Sequence, residues 1–150
     1  LHKLKEDDLA TYRANHVGVI FQSFNLLPSM TALENVNLPN EISGKFYDNK
    51  KGAELLKSVG LINRLNHYPH QLSGGEQQRV AIARSLVSSP EILIADEPTG
   101  NLDKKNSEEV IKLIFKLQKD FGSTLILVTH DLSLANLCDT KIELDNGLII

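Results

Sequence analysis

Three short apolar runs interrupt a chain whose remaining apolar positions mostly recur at helical spacing. Val17-Gly18-Val19-Ile20-Phe21, Ile92-Leu93-Ile94-Ala95 and Leu125-Ile126-Leu127-Val128 are bounded by polar residues and have the length and composition of buried strands. The last two are apolar at every position, which predicts strands buried on both faces. Glu6–Arg13 has helical composition. Thr31-Ala32-Leu33-Glu34 has capping-box spacing for a helix that Pro39 is expected to end. Asn49–Val59 reads as another helix, closed by Gly60, and Leu61–Asn66 as a further short turn. Ser107–Phe121 places Val110, Ile111, Ile114, Leu117 and Phe121 on one face, with Gly122 as its C-cap. Leu132–Leu137 reads as a short helix, and Lys141–Ile150 as a hairpin around Asp145-Asn146-Gly147.

Residues 24 to 88 therefore read as mostly helical. Beyond Pro90 the order strand, helix, strand, helix is a βαβ arrangement and implies a parallel sheet. The fold class is α/β. A length of 150 residues with 41% hydrophobic content suits one domain with its own core. The net charge of −3 argues against a broad nucleic-acid-binding face. The apolar runs are too short to span a bilayer, and no signal peptide is visible. Cys138 is the only cysteine, so no internal disulfide forms. The chain starts at Leu1 rather than at a methionine and stops at Ile150 inside an apolar run, so it is expected to be a fragment.

The chemistry concentrates in two kinds of place. Leu72-Ser73-Gly74-Gly75-Glu76-Gln77 opens a helix with two glycines, a hydroxyl and the positive end of the helix dipole, which suits it to a phosphate. Ser73 also has the spacing to cap that helix with Glu76, and the two roles are compatible. The usual phosphate cradle G-x-x-x-x-G-K-[ST] occurs nowhere in the chain. The other places are strand ends, because open parallel sheets bind ligands beyond the carboxyl ends of their strands. Gln22, the pair Asp96-Glu97 and His130 stand at three such ends. Four apolar residues running into two acids is the Walker B pattern. The first acid, Asp96, suits Mg2+, and the second, Glu97, suits a base acting on water. Taken alone, Asp-Glu-Pro reads equally well as a capping turn.

In order and spacing these residues resemble the ABC-type ATPase family from end to end. Of the residue intervals, 51 run from Gln22 to Ser73, 23 from Ser73 to Asp96 and 34 from Asp96 to His130. Gln22 corresponds to the Q-loop glutamine, Leu72–Gln77 to the ABC signature, Ile92–Glu97 to Walker B, Asn101-Leu102-Asp103 to the D-loop, and His130 to the switch histidine. The resemblance implies a P-loop NTPase-type core with a parallel sheet, residues 1–23 and 89–150. An inserted α-helical subdomain would occupy residues 24–88, with the P-loop and the adenine-stacking aromatic lying upstream of Leu1. Tyr12 is not that aromatic. It also implies ATP and Mg2+ as ligands and a head-to-tail pairing with a second ATPase domain. Ser73, Gly74, Gly75 and Glu76 would then grip the γ-phosphate of ATP held by the partner. Gln22 would order Mg2+ and water with Asp96, Glu97 would be the base, His130 would contact the γ-phosphate, and Asp103 would link the two sites. Integral membrane permease subunits are the further partners implied, with the chain on the cytoplasmic face of the membrane. Without its P-loop, residues 1–150 alone are expected to hydrolyse no ATP.

Phe21–Pro28, Thr31–Val36 and Asp96–Asp103 are similar to the lipoprotein-release and macrolide-export branch of that family. One rival is an ABC-type ATPase of DNA repair or chromosome maintenance. Such proteins carry long insertions, which the interval between Gln22 and Ser73 leaves no room for. Another is a non-catalytic, degenerate module, for which an intact Glu97 and His130 would be idle. His2, His16, His67 and His70 have no partner at metal-ligand spacing and read as solvent or loop residues, His70 bracing the approach to the signature.

Overall fold

The computed structural model describes residues 5–44 and 49–150, so His2 lies outside the described residues. In chain order the elements are α1 (Glu6–His16), β1 (Val17–Ile20), α2 (Ala32–Ile42), α3 (Asn49–Ser58), α4 (Gly74–Leu86), β2 (Ile92–Asp96), α5 (Lys104–Phe121), β3 (Thr124–Val128), α6 (Leu132–Ala135), β4 (Leu144–Asp145) and β5 (Leu148–Ile149). Short 3-10 turns at Ile62–Arg64 and Pro69–Gln71 bridge α3 to α4.

The first three strands pair in the order β1-β2-β3, all parallel, with Val17 opposite Ile92 and Ile92 opposite Thr124. Their carboxyl ends thus lie side by side, as the βαβ reading requires. β4 and β5 form an antiparallel hairpin. Its turn residues Asn146 (φ 49°) and Gly147 (φ 81°) are both left-handed, as a two-residue turn of this type demands.

The core joins one sheet face to the helices. Ile20, Leu93 and Ala95 from the sheet are buried with Val36 of α2, Leu56 of α3, Val80, Ile82 and Leu86 of α4, and Ile114 and Leu117 of α5. The sheet is not buried on both faces, as its composition predicts. Along β2 burial alternates, and on β3 Ile126 and Val128 remain 47% and 48% exposed. The helices described here pack on the face of Leu93 and Ala95. On the opposite face Ile94 is half-buried and Ile126 is exposed.

The helix ends follow their local chemistry. Thr31 and Glu34 form a reciprocal capping box at α2, and Ser73 and Glu76 form one at α4. Gly122 closes α5 in the left-handed region. Pro39 does not end α2, which runs on to Ile42. The proline removes the bond that residue 39 would donate and crowds the Asn35 carbonyl one turn back, yet the helix continues past it. The turn beyond it is held by Ser43, whose amide donates to the Pro39 carbonyl at 3.2 Å and whose hydroxyl donates to the Asn40 carbonyl at 3.0 Å.

Candidate functional site

At the end of β2 the chain turns sharply. Glu97 has φ 44°, a left-handed backbone that costs a non-glycine residue free energy and persists only when its surroundings hold it. They do: its amide donates to the Val128 carbonyl on β3 at 2.9 Å, and its carbonyl accepts from the Gly100 amide at 3.1 Å. The turn aims the Glu97 carboxylate at the end of β3. There Oε1 accepts from the His130 amide at 2.8 Å and lies 2.7 Å from the ring Nδ1. The Thr129 hydroxyl reaches Oε2 at 3.4 Å. Two of the residues singled out from sequence are therefore in direct contact, 33 positions apart.

Gln22 joins them from the end of β1. A Cβ on Gly100 would come 2.5 Å from the Gln22 Nε2, so the glutamine side chain crosses directly over this glycine. The Asn101 side chain donates to the Gln22 carbonyl at 3.0 Å. Asp96, the last residue of β2, is exposed beside this cluster. A cleft of 610 Å³ opens against Glu97 and His130, with Thr99, Lys104 and Lys112 also on its walls.

The glycine-led start of α4 forms a second cluster. The Glu76 carboxylate accepts from the Ser73 amide and hydroxyl, each at 2.9 Å, and from Arg64 Nε at 3.0 Å. These bonds, the Ser73 amide first and Arg64 next, hold its pKa at about 2. Glu76 thus faces its own helix start and Arg64, while Ser73 and Gly74 stay exposed. The amides of Gly74 and Gly75, in the first turn, have no acceptor within the helix. Asp103 sits alongside through Asn106. The Asn106 amide donates to Asp103 Oδ1 at 3.1 Å, its side chain donates to Oδ2, and these bonds hold the Asp103 carboxyl below its ordinary range. A Cβ on Gly75 would lie 2.7 Å from Asn106 Oδ1, so signature and D-loop pack against each other.

Several residues with a part in this geometry were not legible in the sequence. Gln78 of α4 donates to the Pro98 carbonyl at 2.6 Å. Arg84 of α4 donates to the Phe24 and Asn25 carbonyls at 2.7 and 2.6 Å, pinning two left-handed residues (φ 57° and 50°) just after Gln22. Asn35 of α2 bonds the amide and carbonyl of Leu27 and the carbonyls of Met30 and Thr31. Asn106 had a signal, standing three residues after a capping Asp103. The others are polar residues in helices, and only the fold reveals what they face. The remaining histidines are elsewhere: His16 pairs with Glu91 at 3.0 Å, and His70 stacks on Tyr68 rather than bracing the signature directly.

The parallel sheet, the acidic strand end facing a histidine, and the glycine-led helix start place the chain in the α/β class of ATPase folds. A family model described as ABC transporter matches residues 2–100. The chain is 51% identical to the ABC transporter ATP-binding protein YbbA of Escherichia coli strain K12, over 98% of its own length and 65% of that protein's. It is 49% identical to the lipoprotein-releasing system ATP-binding protein LolD of Cytophaga hutchinsonii, over 98% of this chain and 68% of the relative. Among solved structures, the ATP-binding cassette MJ0796, a dimer in a post-hydrolysis state bound to ADP and Pi, superposes with a TM-score of 0.84. That match has 42% identity and covers 98% of this chain and 66% of that one. The chain belongs to the ABC transporter family. It spans about two thirds of the length of these relatives. Among the described residues no helix is long and apolar enough to cross a membrane.

Proposed function

We propose that this chain is the larger part of an ATP-hydrolysing subunit of an ABC transporter, acting from the cytoplasmic face of the membrane on a permease. The observation that carries the reading is the contact between Glu97 and His130 at the ends of β2 and β3, with Gln22 packed beside the same turn. In this reading residues 1–23 and 89–150 form the ATPase core and 24–88 the helical subdomain. The relative named for lipoprotein release favours a permease of that kind.

The mechanism follows from where each group points. Glu97, anchored by His130, holds an acceptor where an attacking water needs its proton taken. His130 is oriented by the same contact, which leaves Nε2 as the ring nitrogen that would meet the γ-phosphate. Ser73 and the Gly74 and Gly75 amides grip the γ-phosphate of ATP on a second subunit, and Glu76 contributes from behind by fixing Ser73. Asp103 stands where the two shared sites meet. Hard oxygen donors at Asp96 and the Gln22 amide fit Mg2+, which keeps several waters and needs only one or two protein oxygens. When bound, that ion supplies charge neutralisation on the phosphate oxygens.

Neither rival is favoured. The described helices between Gln22 and Ser73 are short, with no coiled-coil arm among them, and the Glu97–His130 pair has the form a hydrolytic site uses. The test is to follow phosphate release and ATP-dependent dimerisation of the full-length protein, alone and with its permease. Mg2+-dependent release with an ATP-induced dimer supports the reading, and a protein that does neither overturns it.

A further inference from the structure

Gln78 is fully buried, at 0% exposure, in the middle of α4. Its Nε2 donates to the Pro98 carbonyl at 2.6 Å, across 20 residues of sequence. Its Oε1 has no hydrogen-bond partner among the described residues. A buried polar atom without a partner is costly, and an apolar side chain of the same length would avoid that cost. The Pro98 bond is what offsets it. Pro98 directly follows Glu97, the residue held with φ 44°. β3 steadies that turn from one side through the Val128 carbonyl. From the side of α4, Gln78 steadies it.

We infer that Gln78 is a positioning residue for the hydrolytic reaction: it fixes the turn that aims the Glu97 carboxylate and ties it to the helix that starts at Gly74. Gln78 lies one helical turn beyond Gly74 on the same face of α4. A shift of α4 along its axis, as its first turn takes up a phosphate, therefore reaches Pro98 through the Gln78 side chain. The grip this chain makes on one nucleotide and the carboxylate it offers to another are mechanically joined. This inference rests on the assignment of Glu97 as the base.

The test uses the full-length ATPase and three variants. Gln78→Met preserves length and removes the donor. Its kcat is expected to fall by about tenfold to a hundredfold, as misplacement of a reacting group by an ångström can do, with KM for ATP within about twofold of wild type. Gln78→Glu adds a pH readout. Burial raises the carboxyl's pKa, the neutral acid still donates to the Pro98 carbonyl, and the ionised form does not. Turnover of this variant, relative to wild type at the same pH, is expected to fall as pH rises through that pKa. A Gln78→Met protein with wild-type kcat, or a Gln78→Glu protein with the wild-type pH profile, overturns the inference. If Gln78→Met does not fold, the pH profile of Gln78→Glu decides alone. Glu97→Gln separates the two levels. If it retains full turnover, the base assignment falls and this inference with it. If it is inactive while Gln78→Met keeps wild-type kcat, only the inference on Gln78 falls.

Discussion

One carboxylate oxygen of Glu97 holds both the backbone amide and the ring of His130, at 2.8 and 2.7 Å. The strand carrying the acid and the strand carrying the histidine are neighbours in parallel register, Asp96 opposite Val128. Their ends meet without any long loop to span. The acid and the histidine are thus oriented as a pair by the sheet itself.

Replacing Glu97 by glutamine keeps an oxygen that can accept from the His130 amide but removes the base. Turnover of the full-length protein is expected to drop by at least about a hundredfold, the usual contribution of a positioned general base. ATP-induced dimerisation should persist, since Ser73 and the glycine amides are untouched. Phosphate release and size-exclusion chromatography, run on the same preparation, measure the two separately. Unchanged hydrolysis would rule out Glu97 as the base.

The Glu76 carboxyl, held at about 2 against an ordinary 4.5, links helix α4 to pH. A carboxyl depressed in the folded state stabilises that state above its unfolded value and loses the contribution as pH falls through the folded one. Glu76→Gln keeps a neutral acceptor at the capping position. It is expected to be less stable than wild type at neutral pH, with the gap closing between 4.5 and about 2. Urea midpoints across that range report it, and a gap that stays constant with pH would refute the assignment.

Gly75→Ala places a methyl group 2.7 Å from Asn106 Oδ1. Overpacking of this kind costs about 1–3 kcal/mol, partly offset by about 1 kcal/mol from the better helix former. Asn106→Ala removes the clashing atom. The stability losses of the two single variants should therefore fall short of adding in the double variant, by about 1 kcal/mol. Strict additivity in denaturant unfolding would show that the two side chains do not meet.

Residues 1–150 alone, lacking any G-x-x-x-x-G-K-[ST] cradle, are expected to turn over no ATP even with Mg2+ in excess. A coupled phosphate-release assay on the isolated segment is the check. Measurable turnover abolished by Glu97→Gln would overturn this expectation.

The elements that proved legible were those with strong local signals. Thr31 and Ser73 carry their capping partners three residues on, and Gly122 and the Asn146-Gly147 turn declare their backbone conformations in their residue types. The strand ends were legible too, because an apolar run stopping at Asp96, or at Thr129 just before His130, fixes the carboxyl end of a strand. Burial on both sheet faces was misread. Ile94 and Ile126 have the composition of buried residues, but composition reports what a residue prefers and not what packs on it. Pro39 was misread because a proline disturbs the turn before it, while the turn beyond it is held by the bonds of Ser43 to the Pro39 and Asn40 carbonyls. The least legible were Gln78, Arg84 and Asn35, whose partners are backbone carbonyls or amides. A backbone carbonyl has no residue type, so no sequence pattern can point to it.

The four hydrogen bonds of the Asn35 side chain to residues 27, 30 and 31 have a mechanical consequence. They weld the end of the loop after Gln22 to the first turns of α2, as Arg84 pins its beginning to α4. The exposed Leu27 therefore sits on a segment held at both ends, by α4 through Arg84 and by α2 through Asn35, so that a displacement there is shared between those two helices.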